Sequence, residues 1–288
     1  GWQEKTRKIE NQLSDALHEQ LMQRFVDHRT TVLLNKLTDK DISCIDVRSD
    51  GDVTVGGHFV GRVEGLKFYS KTGIDGVAGR TVAAGVNRAL MSEIKLRTIA
   101  LIKAKDSEFI LDSQGEVHWN FKGCYQLVAK LTAGKDNFAP KFTLIIDNLL
   151  NKSFGVEVER RIQKWLDGYI KQVLDKLFIA KKINGTGPLR GVIFQLIENN
   201  GALPRHKVTK LIKMFSNRDF CTIRRLGIKM GRLEIFFPIL LKPKQARLSA
   251  ILWAIKQRVI PIPKLPMAGT VSFPYKSDVP VQFFHAAG

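Results

Sequence analysis

Residues 188–241 read PLRGVIFQLIENNGALPRHKVTKLIKMFSNRDFCTIRRLGIKMGRLEIFFPILL. Pro188 opens a helix, because its missing N–H is one of the orphan donors of a first turn, and Asn200-Gly201 stops it after about Asn199. Arg205 to Phe215 predicts a second helix, Asn217 to Leu226 a third and shorter one, and Ile228 to Phe237 a tight hairpin around Gly231-Arg232. Three short helices followed by a hairpin is the order of a winged-helix-like module, in which the third helix and the hairpin approach nucleic acid. Those two elements hold Arg218, Arg224, Arg225, Lys229 and Arg232; Arg205, Lys207, Lys210 and Lys213 on the second helix complete the candidate binding set. A guanidinium pairs bidentately with a phosphate or a guanine edge, so the cluster suits positioning on a backbone. A small helical domain with a solvated basic face is the competing reading.

The charge of the whole chain points to the same place. Of the net +19, +16 falls in residues 151–260, where 23 Lys and Arg face 7 Asp and Glu, while residues 1–40 carry 7 against 6. A field concentrated on one third of a chain attracts a polyanion. At 288 residues and 44% hydrophobic, the chain is long enough for a substantial core and is expected to form more than one domain.

Four regions follow from pattern: a long amphipathic helix in 1–40, a β-rich domain over 41–150, the basic helical domain over 151–260, and a Pro-rich strap or linker over 261–288. In the first, Ile9, Leu13, Leu17, Leu21 and Phe25 recur at four-residue steps, a stripe expected to pack on a neighbour. In the second, Ile45 to Arg48, SDGD and Val53 to Val55 read as a hairpin, and His58 to Tyr69 continues as strands. A helix is predicted over about 79–105, with Val82, Val86, Ala89, Leu90, Ile94, Leu96 and Leu101 as its apolar side. Strands resume at Phe109–Asp112, Val117–Trp119 and Cys124–Leu131. SDGDV with VGRV at 60–63 echoes SQGEV with VAKL at 128–131, which suggests an internal repeat. One small antiparallel barrel or two packed sheets is expected, so the fold class is α+β. One helix is predicted over 156–180, with a continuous stripe from Ile162 to Phe178 and with Arg160, Arg161, Lys164, Lys171 and Lys176 on other faces. A last helix spans about 243–258, with Leu248, Ile251, Leu252 and Ile255 inward.

Motifs for chemistry are missing. GLKFYSKT at 65–72 approaches a P-loop, but Ser70 replaces the second glycine and no helix opens behind it, so it reads as a strand end. The apolar run ending in Asp147 lacks the acidic residue that would follow in a magnesium-binding motif. The histidines show no HExxH and no close cluster with cysteine, which argues against a metal site. No GxSxG is present. No catalytic residue is assigned. Cys44, Cys124 and Cys221 are too far apart for a disulfide framework or zinc knuckle and are expected to be buried, in a reducing compartment. No membrane-spanning run or signal peptide is apparent, so a cytoplasmic location and no membrane partner are expected.

The opening GWQEKTRKIENQLSDALHEQL, GHFVGRVEGLKF at 57–68, GVIFQLIENNGALPR at 191–205, and GIKMGRLEIFFPILLKP at 227–243 with the following LWA resemble the C-terminal region of alphaproteobacterial DExH-type ATP-dependent helicases, relatives of the mitochondrial degradosome RNA helicase. That resemblance implies two RecA-like motor domains lying upstream, with the ATP and Mg that they hold, an RNA substrate with DNA possible, and a degradosome-type nuclease as a possible partner. It implies that this chain is the accessory region that grips or guides the strand. No motor motif occurs here, and the start at Gly1 and stop at Gly288 suggest a piece of a longer chain. A free-standing winged-helix-type nucleic-acid-binding protein, or a docking segment for an acidic protein, are the other readings.

Overall fold

The computed structural model describes residues 5–21, 45–48, 51–55, 57–70, 77–134, 136, 138–146, 152–183, 185–259, 261–262 and 280. Over these the fold is α+β, with eight α-helices and antiparallel sheets. The chain divides into two compact units. The first gathers residues 1–104, 120–126 and 145–156, and the second 105–119, 127–144 and 157–288.

In the first unit, α1 runs through residues 5–21 and is exposed along its length. Ile9, Leu13, Leu17 and Leu21 are each more than half exposed, so among the described residues the stripe has no neighbour to pack on. Phe25 and the expected continuation of the helix lie outside the described residues. Strands β1 (Ile45–Val47), β2 (Asp52–Val55), β3 (His58–Glu64) and β4 (Lys67–Ser70) pair in chain order into a four-stranded meander. Period-two alternation turns Val53 and Val55 inward, and Val63 and Phe68 are buried with them; a register shift that leaves Val60 unpaired lets Val60 be buried as well, three residues before Val63. Lys67 to Ser70 form β4, which accounts for the P-loop-like stretch as a strand.

Helix α2 (Val77–Lys103) buries Val86, Leu90, Ile94 and Leu101. Leu96, expected on that face, is exposed. It stands two residues beyond Ile94, about 200° around the helix, on the opposite side. Arg97 is almost fully buried and fully engaged. Its Nε donates to Glu93 at 2.9 Å, its Nη1 donates to Gln126 Oε1 at 3.2 Å, and its guanidinium lies 5.2 Å from the Phe121 ring. The same Gln126 oxygen accepts Gly65 N–H at 3.0 Å. A buried charge persists only with such satisfaction.

A second meander, β5 (Phe109–Leu111), β6 (Glu116–Phe121), β7 (Cys124–Thr132) and β8 (Lys141–Leu144), repeats the strand order of the first; its hairpin tip, 120–126, groups with the first unit. The turns correspond bond for bond. Arg48 N–H donates to Asp52 and Val63 N–H to Gly51, as Asp112 N–H donates to Glu116 and Leu131 N–H to Gly115. Both glycines have positive φ, +94° and +74°, which a side chain resists. Among the described residues, β1–β8 therefore form two four-stranded hydrogen-bonded sheets.

The helix expected over 156–180 is two helices, α3 (Lys152–Val173) and α4 (Asp175–Lys181), separated at Leu174, whose φ of −109° and ψ of 32° leave the helical region. Ile162, Trp165, Leu166, Ile170, Val173 and Leu177 are buried as the stripe requires. Arg161, expected off that stripe, is only 12% exposed, 2.7 Å from Asp106, with its guanidinium 4.8 Å from the Phe109 ring. Trp165 donates its indole N–H to Asp106 O at 3.1 Å and stacks on Tyr169, consistent with a structural Trp. Burial raises the Tyr169 pKa, with Arg247 partly opposing the rise.

Next come α5 (Gly187–Glu198), β9 (Ala202–Pro204), α6 (Arg205–Ile212), α7 (Asn217–Arg225), β10 (Lys229–Met230) and β11 (Glu234–Phe236), with sheet order β10-β11-β9, and finally α8 (Pro243–Gln257). β9 is an element that the sequence pattern does not announce. Three residues ending in Pro204 carry no alternation to detect, and the strand exists because β11 pairs with it through Leu203 and Ile235. Of the Pro-rich segment, only Pro261, Ile262 and Pro280 are described.

Candidate nucleic-acid interface

Helices α6 and α7 each bury one narrow face and leave a basic one outside. On α6, Val208 is buried while Lys207 and Lys210 are exposed, as is Lys213 just past its end. On α7, Asp219 and Ile223, four residues apart, turn inward; Arg218, Arg224 and Arg225 turn outward. Gly227 then leads the chain straight into β10, with Ile228 N–H donating to Ile223 O at 3.1 Å. Lys229 and Arg232, on the hairpin, are exposed as well.

The start of α7 is set by a capping box. Ser216 Oγ accepts Asp219 N–H at 3.3 Å, and Asp219 Oδ2 accepts Ser216 N–H at 2.9 Å and its hydroxyl at 2.7 Å. The other carboxylate oxygen accepts the Thr186 hydroxyl at 3.1 Å. Thr186 is itself the N-cap of α5, so one buried carboxylate ties together the first turns of two helices. The backbone and side-chain hydrogen bonds from Ser216 hold the Asp219 carboxyl below the usual carboxylate range, against the opposing effect of burial, and Thr186 lowers it further.

Of the nine sequence-predicted residues, Lys207, Lys210, Lys213, Arg218, Arg224, Arg225, Lys229 and Arg232 are exposed, and none is in an ion pair among the described residues. Arg205 differs. It is half-buried, and its Nη1 donates to Gly231 O at 3.0 Å while its backbone N–H donates to Leu233 O at 2.8 Å. Arg205 therefore holds the hairpin turn from behind and presents less of its guanidinium to a ligand. The hairpin itself closes with Gly231 N–H donating to Glu234 O at 2.8 Å, an approach so close that a Cβ on Gly231 would stand 2.8 Å from that oxygen.

Two further features escape sequence reading. Cys124 and Cys221 are exposed thiols rather than buried ones, and Cys221 sits on the outer face of α7; Cys44 lies outside the described residues. Asp112, Glu116 and His118 bring one ligand atom each within 4.8 Å of one another, with His118 Nε2 3.8 Å from each carboxylate. The neighbours are carboxylates and no cysteine takes part, so this is not the His/Cys cluster whose absence the sequence indicates. The cluster forms because the β5–β6 turn folds three residues of unremarkable spacing onto one another. Asp112 Oδ1 is occupied by the amides of Gln114 and Glu116, and Glu116 Oε1 by Lys130 at 2.6 Å, so the set reads first as a satisfied turn. Among the described residues no helix is long and apolar enough to cross a membrane.

No protein-family model, curated protein or solved structure matches the chain.

Proposed function

We propose that the chain binds nucleic acid through the basic face of α6, α7 and the β10–β11 hairpin, as a winged-helix-like accessory region that grips a strand for an ATP-dependent helicase motor. The observation that carries this reading is the run of eight exposed cations on three consecutive elements, none of them in an ion pair among the described residues. Fixed cations on rigid helices neutralise phosphates and release counterions, which supplies affinity without sequence preference. RNA is the expected substrate, with DNA possible. ATP and Mg belong to the motor, and a nuclease of degradosome type is a possible partner.

The test is fluorescence anisotropy with a single-stranded 20-mer RNA across a salt series. Binding should weaken linearly in log-log form, each phosphate contact contributing roughly 0.7 to 0.9 to the slope. A flat salt dependence, or selective binding to an acidic protein instead, would reject the reading. A native reading frame that encodes GxxxxGK[ST] and a DExH box upstream of Gly1 would support the motor. A start codon just before Gly1 would leave a free-standing binding protein.

A further inference from the structure

We infer that Leu233, at the tip of the β10–β11 hairpin, is an apolar wedge that inserts between bases at the junction of a duplex with a single strand. Isolated exposed leucines are common and mean nothing alone. Leu233 is set apart by three observations together. At 79% exposure it is the most exposed large hydrophobic side chain among the described residues. Its backbone is fixed, because Arg205 N–H donates to Leu233 O at 2.8 Å and the Arg205 guanidinium donates to Gly231 O at 3.0 Å. Arg232 directly precedes it and Glu234 directly follows it, and Lys229, paired with Phe236, adds a second cation to the same hairpin. A nucleic acid is charged along its backbone and apolar between its bases, so a rigid tip carrying an apolar side chain beside cations matches it. Side chains of this type partly unstack base steps when a charged surface holds them against a duplex. An acidic protein surface would complement Lys229 and Arg232 but offers no reason for a clamp that fixes the tip.

This inference rests on the nucleic-acid reading and deepens it from gripping to separating strands. The chain is mixed with an RNA duplex that has a single-stranded overhang and carries 2-aminopurine at the last paired position, and both anisotropy and 2-aminopurine fluorescence are recorded. Wild type should raise the fluorescence several-fold on binding. Leu233→Ala should lose more than half of that rise while its affinity stays within about twofold and its salt slope is unchanged; Leu233→Met should restore most of it. An equal rise in wild type and Leu233→Ala, or salt-dependent wild-type binding with no rise, overturns the wedge alone. Absence of salt-dependent binding by wild type overturns the binding reading and the wedge with it. Since the side chain is exposed, Leu233→Ala should melt as wild type does, and a shared melting temperature keeps the comparison clean.

Discussion

Some cations of the two β meanders face an acid, whereas those turned outward on the α6–α7–hairpin region face none among the described residues. In the meanders Arg62 has Asp52 at 3.8 Å and Lys130 has Glu116 at 2.6 Å, while Lys67, Lys122 and Lys141 have no ion pair among the described residues; on α2, Arg97 has Glu93 at 2.9 Å. Arg161 on α3 is likewise matched by Asp106 at 2.7 Å. The eight outward cations from Lys207 to Arg232 have none among the described residues. Charge that the fold has already paired is neutralised before a ligand arrives. Charge without a partner keeps its field and its hydrogen-bond donors for an external anion. Where cations lie in the sequence therefore says less than whether an acid lies within reach.

The sharpest way to break this contrast is to reverse unpaired charges. Arg224→Glu with Arg225→Glu should weaken RNA binding by at least about tenfold and reduce the log-log salt slope by roughly 1.4 to 1.8, two contacts' worth. The loss should be uniform across sequences. Unchanged anisotropy titrations for this variant would remove α7 from the interface.

A smaller effect, on stability rather than binding, is expected from Asp219. Asp219→Ala removes the cap of α7 and leaves the Thr186 and Ser216 donors without their acceptor, so it should lower the midpoint of denaturant melts. The pH dependence has a definite sign. A carboxyl whose folded pKa lies below its unfolded value stabilises the fold above the unfolded value, near 3.9, and that stabilisation is lost as pH falls through the lower folded pKa. The gap in melting temperature between wild type and Asp219→Asn should thus be constant at neutral pH and narrow below about pH 4. A gap that stays constant down to pH 2 would contradict the assignment.

The smallest effects belong to the paired cations. Arg62→Ala should leave RNA affinity unchanged and cost under about 1 kcal/mol of stability, because its ion pair is solvent-exposed. Lys130→Ala should behave the same way toward RNA. A substantial loss of affinity in either variant would mean that pairing does not remove a cation from recognition.

Much of the fold could be read from residue order. Helix α7 was legible over Asn217 to Leu226, ahead of the hairpin at Gly231-Arg232, and both β hairpin turns were legible from a glycine between acids and polar residues. Other features were set by tertiary contacts that no local pattern encodes. β9 depends on pairing with β11, the break at Leu174 falls inside an uninterrupted apolar stripe, and Arg161 looks like any surface arginine until Asp106 arrives beside it from 55 residues away. The candidate site shows the same division. Eight of its nine residues are exposed, six on or just past α6 and α7 and two on the hairpin, but the structural use of Arg205 required knowing where Gly231 and Leu233 would lie.

The amide side chain of Gln114 makes two hydrogen bonds with Ile262, donating to its carbonyl at 3.4 Å and accepting its N–H at 3.2 Å, across 148 residues of chain. Closing a loop of that length costs roughly 4 kcal/mol in chain entropy, whereas two such bonds return only about 1 kcal/mol each. Apolar packing must supply the remainder, and it does so around Gly115, where an added Cβ would stand 2.9 Å from Ile255 and 3.5 Å from Ile262. Bonds and packing are thus expected to form together, late, once the intervening helices have shortened the distance to be searched. In kinetic terms this closure is a high-contact-order step, so a side chain at Gly115 should raise the unfolding rate far more than it slows folding.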